Sequence, residues 1–388
     1  MKKPSFILIL VTCAFMITCE NVDHASNSAA YITLLGNDTL AVEKFEKSNR
    51  GITAQVVLRS PRTTLTSYEL ITNETGGIEE LTVKNHTLDS GFNSDGVVER
   101  SYKKSGDSLV VSVKADDGSY QIQKYPYESG VLPFIDMVHW PFEVAFNNAI
   151  KVAADSIDQR LISGSRTSTF IVAKINPDSM TIRHPSRGVM GVQVDENGNI
   201  LELDASATTR KLTVKRVNDV DINSIASRFA KSDKNGNPFG SLSGAVEESF
   251  TVNGVDVEVS YGSPQKRGRE LFGEIVPFGK RWRTGANRAT HFKISKDIKI
   301  QDLNVPAGEY TLFTIPEADG GTLIINKQTG QNGQTYDESR DLGRVEMTVR
   351  EQEESVEGFT IIAEEKGNNG ILKLMWGTTV YSIDFGIN

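Results

Sequence analysis

Apolar and polar residues alternate along most of this chain, as in Leu109-Val110-Val111-Ser112-Val113-Lys114. Turn residues break the alternation at Gly36-Asn37-Asp38, Gly76-Gly77, Gly106-Asp107 and Asp116-Asp117-Gly118. A period of two with Gly, Asn and Asp between the runs predicts strands joined by tight turns. Strands are expected at 31–35, 39–45, 51–59, 65–72, 78–84, 97–103, 108–114 and 120–125, and again at 168–175, 179–183, 189–194, 200–203 and 211–217. Their close succession predicts an antiparallel meander. One stretch departs from it. Phe142, Phe146, Ala149, Ile150, Ala153, Ile157 and Leu161 recur at helical spacing and Pro141 suits a first turn, which predicts one long amphipathic helix over 141–162. A helix of that kind lies across a sheet face and closes a core, or lines a half-open sheet that handles lipid.

A connector is expected over 218–243, with a short helix at 221–230 followed by Ser232-Asp233-Lys234-Asn235-Gly236-Asn237-Pro238. From 244 the text is again almost all strand. Val252-Asn253-Gly254-Val255 is a hairpin signal, because Asn-Gly supplies the two positive-φ residues of a tight turn. Further strands are expected at 291–295, 308–315, 322–326, 344–350, 356–363, 371–375 and 380–387, the count and spacing of a β-sandwich or jelly-roll-like domain. The expected fold class is mainly β: a meander domain over 31–217 and a sandwich domain over 244–388.

The beginning of the chain reads as an address. Met1-Lys2-Lys3 precedes an uncharged, largely apolar run over 4–18, too short to span a bilayer, and residues 1–18 read as a signal peptide. Met16-Ile17-Thr18-Cys19 resembles a bacterial lipobox, in which the cysteine is acylated; ordinary cleavage near Ala25 or Ala29 is the alternative. An acylated Cys19 makes the lipid bilayer a partner, since acyl chains are held by about 0.8 kcal/mol per buried methylene. The protein is then exported to the cell envelope, and Glu20, in place of an aspartate retention signal, points to the outer membrane. Residues 19–30 read as a flexible tether.

With 42 basic against 50 acidic residues the net charge is −8, which argues against nucleic acid as a partner. Cys13 and Cys19 are the only cysteines, and the histidines His24, His86, His139, His184 and His291 lie too far apart for a zinc motif. No metal, no cofactor and no nucleophile elbow is read. Against that background the segment 266–293 inverts the charge: eight Lys and Arg face only Glu270 and Glu274, a local +6. The candidate ligand-binding residues are Arg267, Arg269, Trp282, Arg283, Thr284 and Asn287. A guanidinium, a hydroxyl and an amide within five residues suit a carboxylate, a phosphate or sugar hydroxyls, and Trp282 offers a stacking face. A buried Arg283 bonded to loop carbonyls, with Asn287 capping a turn, would use the same residues.

Residues from about 261 onward resemble a bacterial family catalogued as domain of unknown function 2911. The resemblance rests on Lys266-Arg267-Gly268-Arg269, Val276-Pro277-Phe278-Gly279-Lys280, Trp282-Arg283-Thr284-Gly285-Ala286-Asn287, Val305-Pro306-Ala307-Gly308-Glu309-Tyr310, Tyr336-Asp337 and Met375-Trp376. Asn332 stands where the family usually carries an aromatic residue. The resemblance implies an envelope or secreted protein and brings no activity. The leading expectation is therefore a non-catalytic envelope lipoprotein that binds a small polar, anionic or glycan ligand. The alternatives are a glycan hydrolase using Asp337 and Asp341 with His291 or Arg283 nearby, and a lipid-handling or scaffold protein.

Overall fold

The computed structural model describes residues 28–387. The signal peptide over 1–18 and the lipidation site Cys19 lie outside the described residues. The chain is mainly β, and its described residues build two sheets of fifteen and nine strands. Two α-helices accompany them.

In the first sheet Ser28–Leu35 occupies the middle, paired with Asp38–Ser48 on one side and Thr213–Val217 on the other. On the first side the strands run outward in chain order to the edge Tyr120–Pro126, and on the other they run outward in reverse chain order to the edge Leu132–Pro133. Every pairing is antiparallel except that of Leu132–Pro133 with Ser156–Ser163. The first strand begins at Ser28 inside the expected tether, because Ala29 and Ala30 are small enough to be buried in the sheet.

Helix α1 spans Trp140–Ala149, with Pro141 in its first turn as expected. Trp140, Phe142 and Phe146 are buried among the strand residues of the domain core. The helix stops well short of 162, a correction to the expected span. Ile157 and Leu161 belong instead to the strand Ser156–Ser163, paired residue by residue with Arg166–Asn176. A spacing of four satisfies both a helix face and a two-residue alternation, and sheet pairing decides between them.

Two buried glutamates fix this helix. Glu43 accepts hydrogen bonds from the backbone N–H groups of His139 (2.9 Å) and Trp140 (3.0 Å) and from His139 Nδ1, placing an anion at the helix N-terminus. Glu143, on the helix itself, accepts from Ile200 N (3.0 Å), Arg216 Nη1 (2.6 Å) and the Tyr31 hydroxyl, and pairs with Lys47.

Helix α2 (Ile222–Lys234) is capped by Asp221, which accepts from Ser224 N at 3.0 Å. Its apolar face, Ile222, Ala226 and Phe229, packs on Val42, Val57 and Leu65 on the outside of the first sheet.

The second sheet runs in the order Ser243–Val252, Val255–Pro264, Thr290–Ile294, Gly308–Glu317, Gly320–Asn326, Asp341–Lys366, Asn369–Ile387, Ile298–Ile300, Leu303–Val305. The Asn253-Gly254 turn forms as expected, with Val252 opposite Val255. The four short strands expected after 344 are two long ones whose register breaks between Glu351 and Thr360. Within and just after that break the strand meets the second strand of the sheet. Gln265 bridges Gly358, and Ile361 N–H donates to the Tyr261 hydroxyl (3.1 Å), so two layers close over Tyr261, Phe359 and Trp376.

Candidate ligand-binding cleft between the domains

The charge-inverted segment crosses the mouth of the second domain as an irregular loop. The bridge Trp282–Thr314 anchors it, with backbone bonds of 2.7 and 2.9 Å. Arg267, Thr284 and Asn287 all adopt positive φ, and Gly285 turns where a Cβ would lie 2.9 Å from the Gly262 carbonyl oxygen. This backbone sends neighbouring side chains in different directions.

The loop faces the first domain across a cleft of about 910 Å³. Arg269, Trp282, Arg283 and Asn287 line it from the second domain; Arg187, Arg210 and Lys211 line it from the first. No Asp or Glu is among its lining residues.

Among the described residues Arg283 makes one side-chain hydrogen bond, to the Asn287 carbonyl (3.2 Å), and no ion pair, so four of its five N–H donors remain for a guest. Arg269 donates to the carbonyls of Lys266 (3.0 Å) and Gln265 (2.6 Å). Asp136 sits behind the cleft between Arg187 (2.5 Å) and Arg210. Burial pushes its carboxyl up, but these two partners outweigh burial and hold it below the ordinary carboxylate range. Burial, and then the like charge of Arg269, hold the Lys211 ammonium below the usual lysine range, with Glu274 opposing. Lys211 and Arg269 belong to different domains, so the fold brings two cations together across the gap. Trp282 is half-buried, nearly parallel to Trp376 (9°, centroids 6.0 Å), with Phe359 edge-on at 4.9 Å.

Two sequence candidates do not reach the cleft. Arg267 is an interdomain rivet: it pairs with Asp38 (3.1 Å), donates to the Phe239 carbonyl (2.8 Å) and lies 3.8 Å over the Phe239 ring, while Asn37 N–H donates to its carbonyl. Its side chain is 7% exposed, which leaves no room for a guest. Thr284 is fully buried; its carbonyl accepts from the Thr290 hydroxyl (2.6 Å) and its own hydroxyl bonds Thr314. Three more cations of the segment are engaged locally: Arg281 stacks on Tyr336 (3.9 Å), Arg288 meets Glu247 and Lys293 meets Glu258.

Reading the sequence missed Arg187, Arg210 and Lys211. The only signal for them is the basic turn Thr208-Thr209-Arg210-Lys211, which the fold ties to the neighbouring loop through Thr209 N–H and the Arg187 carbonyl (3.0 Å).

The paired acids are otherwise engaged. Asp337 caps a short 3-10 turn through Ser339, whose hydroxyl and N–H hold its carboxyl below the ordinary range. Asp341 accepts from Asn326 (2.8 Å), Tyr336 (2.7 Å) and Arg344 (3.0 Å). His291 Nε2 accepts from Gly330 N–H (2.9 Å). In the first domain Phe146 is fully buried, and a small cavity of about 30 Å³ lies beside Phe142 and His184.

Fold and cleft together define a two-domain, mainly β protein whose domains share a cation-lined recess. Residues 243–385, spanning nearly all of the second sheet, match the family described as protein of unknown function (DUF2911). No curated protein matches the chain significantly. Among solved structures, a DUF1089 family protein from Pseudomonas aeruginosa is 14% identical, with 43% of this chain and 91% of that one covered and a TM-score of 0.31. A structure concerning botulinum neurotoxin type C and two ganglioside molecules is 10% identical over 94% of this chain and 89% of that one, with a TM-score of 0.13. At these TM-scores neither likeness carries an argument.

Proposed function

We propose that the protein is a non-catalytic binding module that takes an anionic ligand in the interdomain cleft. The observation that supports this is a recess lined by five cations and no carboxylate in a chain that is acidic overall. Like charges held together in a partly desolvated recess repel, and a bound oxyanion relieves the repulsion while forming forked, charge-assisted bonds. The site is set for binding: the carboxylates considered for acid–base work are engaged in caps and ion pairs outside the lining. In this reading Cys19 carries an acyl anchor that holds the module at the cell envelope, a role that labelled palmitate incorporation into the wild type and not into Cys19→Ala would support.

The test is calorimetric titration of the full chain with citrate and with inorganic pyrophosphate at low and high salt. Binding that weakens with salt and drops at least tenfold in a Lys211→Ala/Arg283→Ala double variant is expected, equivalent to about 1.4 kcal/mol or more. Equal affinity in wild type and double variant, or no binding of either anion to a folded wild type, overturns the proposal.

A further inference from the structure

Resting on that anion-binding reading, we infer that the cleft's ligand is an acidic oligosaccharide, a sugar chain bearing several carboxylates, with one ring against Trp282. The cleft is far larger than a single oxyanion needs: at about 910 Å³ it is near the top of the range of roughly 300–1,000 Å³ for small-molecule sites. Its chemistry is mixed in a way that a simple polyanion does not use. Its lining includes the apolar side chains of Trp282 and Ile275, and the half-buried Trp282 ring suits the C–H face of a pyranose. The lining also carries neutral donors and acceptors, among them Thr209, Ser243, Asn287 and Gln334, which match sugar hydroxyls.

The cations come from two domains. Arg187, Arg210 and Lys211 come from one domain, and Arg269 and Arg283 from the other. Asp136 neutralises one charge of the first group. With Asp136 cancelling one of the five charges, a ligand that carries more than one negative group matches the cleft better than a single anion does. Guanidinium forks favour planar carboxylates, and both Arg269 and Arg283 keep unused N–H donors. A nucleic-acid strand also combines anions with stacking faces. The neutral hydroxyls and amides of the lining, Thr209, Ser243 and Gln334 among them, favour a polyhydroxylated sugar over it.

The experiment compares four probes on the full chain: trigalacturonate, citrate as a non-sugar of equal charge, neutral galactotriose, and a short oligothymidylate. Trigalacturonate is expected to bind at least about tenfold tighter than each of the others and to change tryptophan emission where citrate does not. Gln334→Ala, at an exposed position, should weaken trigalacturonate several-fold and leave citrate unchanged. Citrate binding as tightly as trigalacturonate, with Gln334→Ala without effect, overturns the sugar inference and leaves the anion site standing. Tighter binding of the oligothymidylate or of galactotriose overturns it in favour of a nucleic-acid strand or an uncharged glycan. No binding by any probe removes the anion site and this inference together.

Discussion

His184 should make the first domain lose stability between pH 6.5 and pH 4, and the size of that loss follows from its surroundings. The ring packs edge-on to Phe170 (4.8 Å) and Phe134 (5.4 Å), and its Nδ1 accepts the Ser186 N–H at 3.1 Å. Burial first, and then the positive charge of Arg187, push its pKa from 6.5 down to about 4, with Asp136 opposing and Arg210 adding to the fall. In that window the unfolded chain binds a proton that the folded chain refuses, so stability falls as pH drops from about 6.5 toward 4. At about 1.4 kcal/mol per pH unit the whole interval is worth at most roughly 3 kcal/mol, and solvent reaching the half-buried ring reduces this to about 1–2 kcal/mol. Asp136 does not obscure the effect, since its lowered carboxyl loses its contribution only below the ordinary aspartate range. The variant His184→Asn keeps an acceptor for Ser186 N–H and removes the titration. Urea unfolding at pH 7 and pH 4.5 should show wild type losing about 1–2 kcal/mol more than His184→Asn. Equal losses in the two proteins would refute the account of His184 as a neutral ring held under two arginines.

Glu143→Leu should cost about 3–5 kcal/mol of first-domain stability in chemical denaturation, because it leaves Arg216 and Lys47 without their buried partner; a loss below about 1 kcal/mol would show that the ion cluster is dispensable. Gly333→Ala tests the placement of Arg283 without removing it: the new Cβ would stand 2.2 Å from Arg283 Cδ and 2.8 Å from the Asn287 carbonyl oxygen, so citrate affinity should fall while far-ultraviolet dichroism stays unchanged. Arg267→Ala should loosen the domains by about 2–3 kcal/mol through loss of the Asp38 and Phe239 contacts, splitting one calorimetric transition into two; a single unshifted transition would show that the rivet does not couple them.

The meander was legible because each of its signals is local. Alternation sets the strand, the Gly and Asn turns end it, and strand after strand pairs with its sequence neighbour, as Gly51–Leu58 does with Thr64–Thr72. Where two periods coincide, local reading fails. Ile157 and Leu161 fit a helix face as well as a strand face, and the choice is made by pairing with Arg166–Asn176 and Leu132–Pro133. The long hairpin of the second domain was cut into four pieces because the break between Glu351 and Thr360 interrupts the alternation without ending the strand.

The cleft was half legible, for a related reason. A dense run of Lys and Arg announces surplus charge, but the run does not say which guanidinium finds an acid elsewhere. Arg267 and Arg283 look alike in the text; Asp38, 229 residues earlier, claims the first, and among the described residues no acid pairs with the second. The opposite wall gave little warning, because the surplus on Arg187 and Arg210 is partly cancelled by Asp136, more than fifty residues upstream in the chain. What identifies the recess is therefore an arrangement rather than a composition. Folding brings Lys211 and Arg269 from separate domains into repulsion, while Arg267 and Asp38 hold those domains together beside them. Like charges facing each other from two domains are tolerated in a folded chain when other interdomain contacts hold those domains in place, as the Arg267–Asp38 pair does here. Binding of an anion should then tighten the interface as well as fill the cleft, so ligand affinity and interdomain stability should rise and fall together when the rivet is removed.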